Sequence, residues 1–136
     1  MIVRAAGADD APQLVALIGL LGHTVTLAGV RERLVDAGLP TLVATEGGTV
    51  VGLCGLHLMR PIHRELPVGR VTILVVAEAW RGRGVGRLLI DAAEQTLADA
   101  GCGLVEVTSN DRLVEAHRFY AAVGYERTSQ RFAKQL

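Results

Sequence analysis

Arg81-Gly82-Arg83-Gly84-Val85-Gly86-Arg87 is the stretch that decides the reading of this 136-residue chain. Just before it, residues 71–76 form an unbroken β-branched and apolar run, the pattern of a strand buried on both faces. Just after it, Val85, Leu88, Leu89, Ala92, Ala93, Leu97 and Ala100 recur at spacings of three and four, with Asp91, Glu94 and Asp99 on the opposite face. That is an amphipathic helix, and Gly101 ends it. Strand, glycine-rich turn, then helix is an anion-binding arrangement, because the first N–H groups of a helix have no partner within it. Gly82, Gly84 and Gly86 carry no Cβ, so a phosphate can approach the backbone closely. Arg81, Arg83 and Arg87 add three cations, and no acid lies between Glu78 and Asp91 to cancel them. A helix N-terminus is worth roughly 0.3–1 kcal/mol to an anion at the surface. Each charge-assisted bond adds about 1.5–3 kcal/mol. A diphosphate ligand fits these terms better than a turn with solvated arginines. The nucleotide-triphosphate loop G-x-x-x-x-G-K-[ST] is absent. The dinucleotide fingerprint G-x-G-x-x-G fits poorly, since the spacing is G-x-G-x-G and the turn sits mid-chain.

Working outward, residues 2–6 read as a short first strand, and Asp9-Asp10 with Pro12 open a helix through Leu14, Leu17, Ile18 and Leu21. Leu27, Val30, Leu34 and Val35 predict a second helix, stopped by Gly38-Leu39-Pro40. Residues 41–46 and Thr49–Met59 are strand-like, and Gly47-Gly48 between them signals a two-residue hairpin. Residues 60–67, with two prolines, read as a loop. Residues 104–108 read as a strand, 112–123 as a helix ended by Gly124, and Tyr125 and residues 128–133 as terminal strand. The order β-α-α-β-β-β-α-β-α-β(-β) fits one domain, a mixed sheet with helices on both faces.

Composition narrows the function classes. Half of the residues are hydrophobic, enough for a core without staples. Fourteen Lys and Arg balance fourteen Asp and Glu. A neutral surface and 4% aromatic content argue against nucleic-acid binding through stacked bases. The apolar run from Leu14 to Gly22 is too short to cross a bilayer. The chain opens without a signal-peptide core, and Cys54 and Cys102 read as reduced thiols, so a cytoplasmic protein is expected. Four His and two Cys show no metal-ligand spacing, so no metal is expected.

The loop resembles the [Q/R]-x-x-G-x-[G/A] signature of the GNAT superfamily of acyl-CoA-dependent N-acetyltransferases, met by Arg81, Gly84 and Gly86, with Leu74-x-Val76 resembling the approach strand. About 35 residues on, Ala116-His117-Arg118-Phe119-Tyr120-Ala121-Ala122-Val123-Gly124-Tyr125 resembles that family's A-x-x-[F/L]-Y-x-x-x-G-[F/Y] segment. The likeness covers essentially the whole chain. It implies an α/β (α+β) fold, a mixed and mostly antiparallel central sheet of about six to seven strands flanked by about four helices. Glu78, Trp80 and Leu113 stand where the family often has Pro, Tyr or His, and Asn. Asn110, three positions before Leu113, would substitute for that Asn as a cofactor contact.

The resemblance implies acetyl transfer from acetyl-CoA, as cosubstrate, to a primary amine. The backbone of Gly82, Arg83, Gly84, Val85, Gly86 and Arg87 would hold the diphosphate. Leu74 and Val76 would pair with the pantetheine arm, and Tyr120 would be the general acid. The run 71–76 carries no carboxylate, so the base stays open among Glu78, Glu65, His63, His57 and a water chain. Asp9, Asp10, Glu32 and Asp36 could draw in a cationic acceptor, which could be a small molecule or a peptide. A non-catalytic acyl-CoA-binding or regulatory domain is the alternative reading. Proteins of this kind often form homodimers, and residues 128–133 could pair across such an interface.

Overall fold

The computed structural model describes residues 1–36 and 38–136. Two compact units divide the chain, 1–106 and 107–136. The first unit opens with β1 (Ile2–Ala5), a 3-10 turn at Ala8–Asp10, α1 (Ala11–Gly19), α2 (Leu27–Asp36), β2 (Leu42–Glu46) and β3 (Thr49–Met59). Then follow β4 (Val68–Val76), a 3-10 turn at Glu78–Trp80, α3 (Val85–Asp99) and β5 (Leu104–Val107), whose last residue begins the second unit. The second unit holds one helix, α4 (Val114–Ala122).

The sheet order is β1-β2-β3-β4-β5, and the first three pairings are antiparallel. Gly47 and Gly48, at φ of 56° and 82°, make the expected β2–β3 hairpin turn. Gly103 N–H donates to the Pro67 carbonyl at 3.0 Å, and the Arg70 guanidinium bonds Glu106. Both contacts span 36 residues in the same sense, so β5 runs parallel to β4. Among the described residues the sheet has five strands, not the expected six or seven. Tyr125 and residues 128–133 are not strands: every residue from Glu126 onward is exposed, so the segment has no buried face to align it.

α3 covers one face of the sheet. A Cβ at Gly52 would lie 2.8 Å from Leu89 and 3.0 Å from Val85, and one at Gly69 would lie 2.6 Å from Leu97. Missing side chains on β3 and β4 therefore let the helix sit directly on the strands. Val85, Leu89, Ile90, Ala93 and Leu97 are buried there. Because side chains alternate along a strand, Leu53 faces the other way. It joins Val43 and Val75 beneath Leu14 and Leu17 of α1 and Val30 of α2.

β4 is not the doubly buried strand expected. Gly55 pairs with Ile73 but Leu56 pairs with Val71, so Thr72 bulges and is exposed. A bulge adds a residue on one strand and re-aims the side chains around it.

Asp10 is structural rather than a lure for cations. Its carboxylate takes the Arg4 guanidinium in two bonds of 2.7 and 2.8 Å and the Gly7 N–H at 2.8 Å. The Arg4 bonds hold its pKa below the ordinary carboxylate value.

Gly69→Ala should destabilise the protein by about 1–3 kcal/mol in urea unfolding, since Leu97 is fully buried and cannot swing aside. An unchanged midpoint would mean that α3 has slack over β4. Asp10→Asn should cost about 1–2 kcal/mol at pH 7. A depressed folded-state pKa gives stability that is full above the unfolded value and is lost as pH falls through the lowered folded value, so this difference should begin to shrink near about pH 4 and vanish only further into acid. A gap between variant and wild type that persists in acid would remove the ionic part of this account.

Candidate active site

β4, the turn and α3 bring the glycine–arginine stretch to the end of the strand. Gly84 caps the helix from the left-handed region at φ 83°, and Gly82 has φ 74°. Residues with a Cβ rarely adopt this conformation. No side chain caps α3, and the first bond of its ladder is Leu88 N–H to the Gly84 carbonyl at 3.1 Å. The Val85, Gly86 and Arg87 amides thus precede the ladder and are open to an acceptor. The side chain of Val85 is buried against the sheet, so only its backbone can serve a ligand.

The three arginines do different things. Arg81 turns back, its Nε donating to the Val76 carbonyl at 3.2 Å. Arg83 lies over the Trp80 ring, 4.7 Å from its centroid, a cation–π contact that holds the guanidinium at the loop. Arg87 is exposed, and among the described residues none of these three has a carboxylate partner. Trp80 was seen in the sequence only as a departure from the family pattern. An aromatic beside an arginine cluster is the signal that could have given it this role.

The backbone parity of β4 follows from one bond. Ala77 N–H donates to the Val51 carbonyl at 2.8 Å, so Ala77 and Val51 are a hydrogen-bonded pair. Such pairs alternate in an antiparallel ladder. Val76 and Leu74, opposite Gly52 and Cys54, therefore turn their N–H and C=O groups away from β3. Arg81 reaching the Val76 carbonyl agrees with that direction. On that side β5 has four residues against nine in β4, and its register starts at the Pro67 end. It does not reach Leu74–Val76.

A cleft of about 530 Å³ opens on the opposite face from α3. Its floor includes Leu14 and Leu53, its walls Ile18, Leu34 and Ile73, and its polar lining Arg33, Asp36, His57 and Thr72. A second hollow, lined by His63, Glu65, Pro67 and Leu104, lies at the start of β4, the end remote from the glycine loop. Glu78 stands exposed in the turn after β4, where its carbonyl accepts Arg81 N–H at 3.3 Å. The candidates for the base are thus dispersed, and only His57 lines the larger cleft. Thr72 escaped the sequence reading because a β-branched residue blends into an apolar strand. Cys54 is buried, which pushes its thiol up to about 12 and keeps it protonated at neutral pH.

In the second unit Tyr120 packs edge-on against Phe119 and Tyr125, with ring centroids 5.5 and 6.0 Å apart. Its carbonyl accepts Tyr125 N–H at 2.9 Å across the turn at Gly124, whose φ is 98°. Asn110 shapes the loop before α4. Its Oδ1 accepts Arg112 N–H at 3.1 Å, and its carbonyl lies 3.0 Å from His117 Nε2. Among the described residues no three His, Cys, Asp or Glu are grouped as metal ligands, and no helix is long and apolar enough to cross a membrane.

Residues 21–125 match the profile of the Acetyltransferase (GNAT) family. The chain is 32% identical to the aminoalkylphosphonate N-acetyltransferase of Salmonella typhimurium, over 98% of this chain and 90% of that protein. It is 33% identical to the aminoglycoside N(6')-acetyltransferase type 1 of Stenotrophomonas maltophilia, over 76% and 71% of the two. A putative acetyltransferase from Agrobacterium tumefaciens superposes over the whole of both chains with TM-score 0.89 and 29% identity. An aminoglycoside N-acetyltransferase solved with CoA has TM-score 0.85 at 19% identity, which speaks for the fold. The chain belongs to the GNAT family, whose members use acetyl-CoA, and is an acetyltransferase.

Proposed function

We propose that this enzyme moves the acetyl group of acetyl-CoA to the primary amine of a small molecule by direct attack, with residues 1–136 acting as one domain. The observation that carries the reading is the uncapped, Gly84-led N-terminus of α3 at the end of a strand whose Leu74 and Val76 backbone faces outward. The open amides from Arg83 to Arg87 suit a diphosphate, and Arg83 and Arg87 supply its countercharge. The pantetheine arm would lie along Leu74 and Val76 as an added strand. An outward N–H there would face the thioester oxygen and stabilise the charge that grows on it. Asn110 remains a candidate contact through its amide nitrogen. That the family match spans both compact units supports a single working domain.

In the reaction, the ammonium first gives up a proton. The nitrogen then attacks the thioester carbon, the N–C bond forms and the C–S bond breaks, and the departing thiolate takes a proton. We assign that last donation to Tyr120, since a phenol is protonated at pH 7. A buried, protonated Cys54 offers no thiolate to carry the acetyl group, which favours direct attack. Two relatives named for aminoalkylphosphonates and aminoglycosides favour a small-molecule acceptor over a peptide.

Arg83→Ala/Arg87→Ala should weaken acetyl-CoA binding by about 10–100-fold in calorimetric titration, the loss of one to two charge-assisted bonds. Equal affinity would move the diphosphate elsewhere. Tyr120→Phe should lower kcat by roughly 10²–10⁴ while acetyl-CoA affinity stays nearly unchanged. A rate equal to wild type would take the acid role from Tyr120 and leave the fold assignment standing.

A further inference from the structure

We propose that His57 is the general base that deprotonates the acceptor ammonium, from the cleft between α1, α2 and the sheet. The inference rests on the acetyl-transfer reading above. Four titratable side chains were open as bases, and the fold separates them. His63 and Glu65 lie before Val68, and from there to Leu74 the strand climbs about 20 Å at roughly 3.3 Å per residue. Glu78 stands exposed in the turn beyond the other end. His57 alone lines the larger cleft, and its strand register puts it three residues along β3 from Cys54, the partner of Leu74. That is about 10 Å between Cα atoms, a span that the imidazole and an acceptor amine, or one water, fill together.

The direction of the side chain follows from alternation. Gly69 faces Leu97 of α3, and its partner Leu58 shares that face. His57 and its partner Arg70 therefore face the cleft side. Arg70 is tied to Glu106 by Nε at 2.8 Å, so its charge is already answered. The other charged groups on this face are Arg33 and Asp36, from α2. Among the described residues neither ring nitrogen of His57 has a hydrogen-bond partner, whereas His117 is engaged with the Asn110 carbonyl. A Cβ at Gly55 would lie 2.6 Å from Thr72 Oγ1 and 2.8 Å from Ile73, so these two side chains cover Gly55 and line the cleft beside His57.

The step balances simply. Imidazole takes the ammonium proton, the freed nitrogen attacks the thioester carbon, and the imidazolium returns its proton to water after the product leaves.

A base matters only for an acceptor that arrives protonated, which gives a test that a general loss of structure does not imitate. The probes are the best alkylamine from a panel of aminoalkylphosphonates and its aminooxy analogue, whose nitrogen is unprotonated at pH 7. Thiol release is followed for wild type, His57→Gln and His57→Asn, with acetyl-CoA affinity measured by calorimetry as the check on folding. The expected result is a kcat loss of roughly 10²–10⁴ with the alkylamine, a change within about threefold with the aminooxy analogue, and unchanged acetyl-CoA affinity. The variants' alkylamine rate should also climb about tenfold per pH unit from pH 7 to 9, tracking the free amine of an ammonium with pKa near 10.4. Equal losses with both acceptors, or no loss with either, would overturn the role of His57 and leave the acetyltransferase reading intact. A wild-type protein that binds acetyl-CoA but acetylates no amine in the panel would overturn the acceptor reading and this proposal together.

Discussion

The seating of α3 on the sheet is the contact on which the site depends. Gly52 and Gly69 remove two side chains from the surface beneath it, and Val85, Leu89 and Leu97 fill the space. Each fully buried Val or Leu is worth about 1.5–3 kcal/mol, and those side chains also fix the rotation of the helix. Val85 is the first residue of α3 and the first of the buried set. The packing that stabilises the helix therefore also anchors its N-terminus at the end of β4. A ligand site made of backbone amides needs this, because amides cannot adjust as side chains do.

The strand contributes through parity. A single bond from Ala77 N–H to the Val51 carbonyl decides which residues of β4 turn outward. Because Leu74 and Val76 fall on the outward set, the line of outward-facing backbone groups runs toward the open amides of α3. The bulge at Thr72 then changes the phase of the side chains along the same strand. Val71 faces α3 while Ile73 and Val75 join the core under α1 and α2. One strand can thus present backbone at its edge and a cleft floor on its face.

The two faces of the sheet carry separate tasks. The α3 face is apolar and tightly filled, which is the condition for holding a helix terminus still. The other face is only partly covered by α1 and α2, and it bears the row His57, Arg70 and Glu106 across three strands. Polar groups stand on that face because they are exposed, as His57 is, or paired, as Arg70 is with Glu106.

Much of this was legible in the residues. The spacing of Val85, Leu89, Ala93 and Leu97 determined the helix, Gly47-Gly48 the hairpin, and the glycine–arginine loop the turn that opens α3, since each is a local pattern whose physics is complete within a few residues. The strand count was not legible. A strand exists only when another strand accepts its hydrogen bonds, and among the described residues, positions 128–133 have no such partner and no buried face. Nor was the choice among scattered His and Glu side chains, since a loop position such as His63 or Glu65 looks the same in sequence wherever the loop lies. The amino-acid sequence by itself determined the helices, the hairpin, the composition of the glycine–arginine loop and the family. Only the tertiary structure decided the bulge at Thr72, the outward turn of Leu74 and Val76, and which imidazole faces the cleft, because these depend on register between strands distant in the chain.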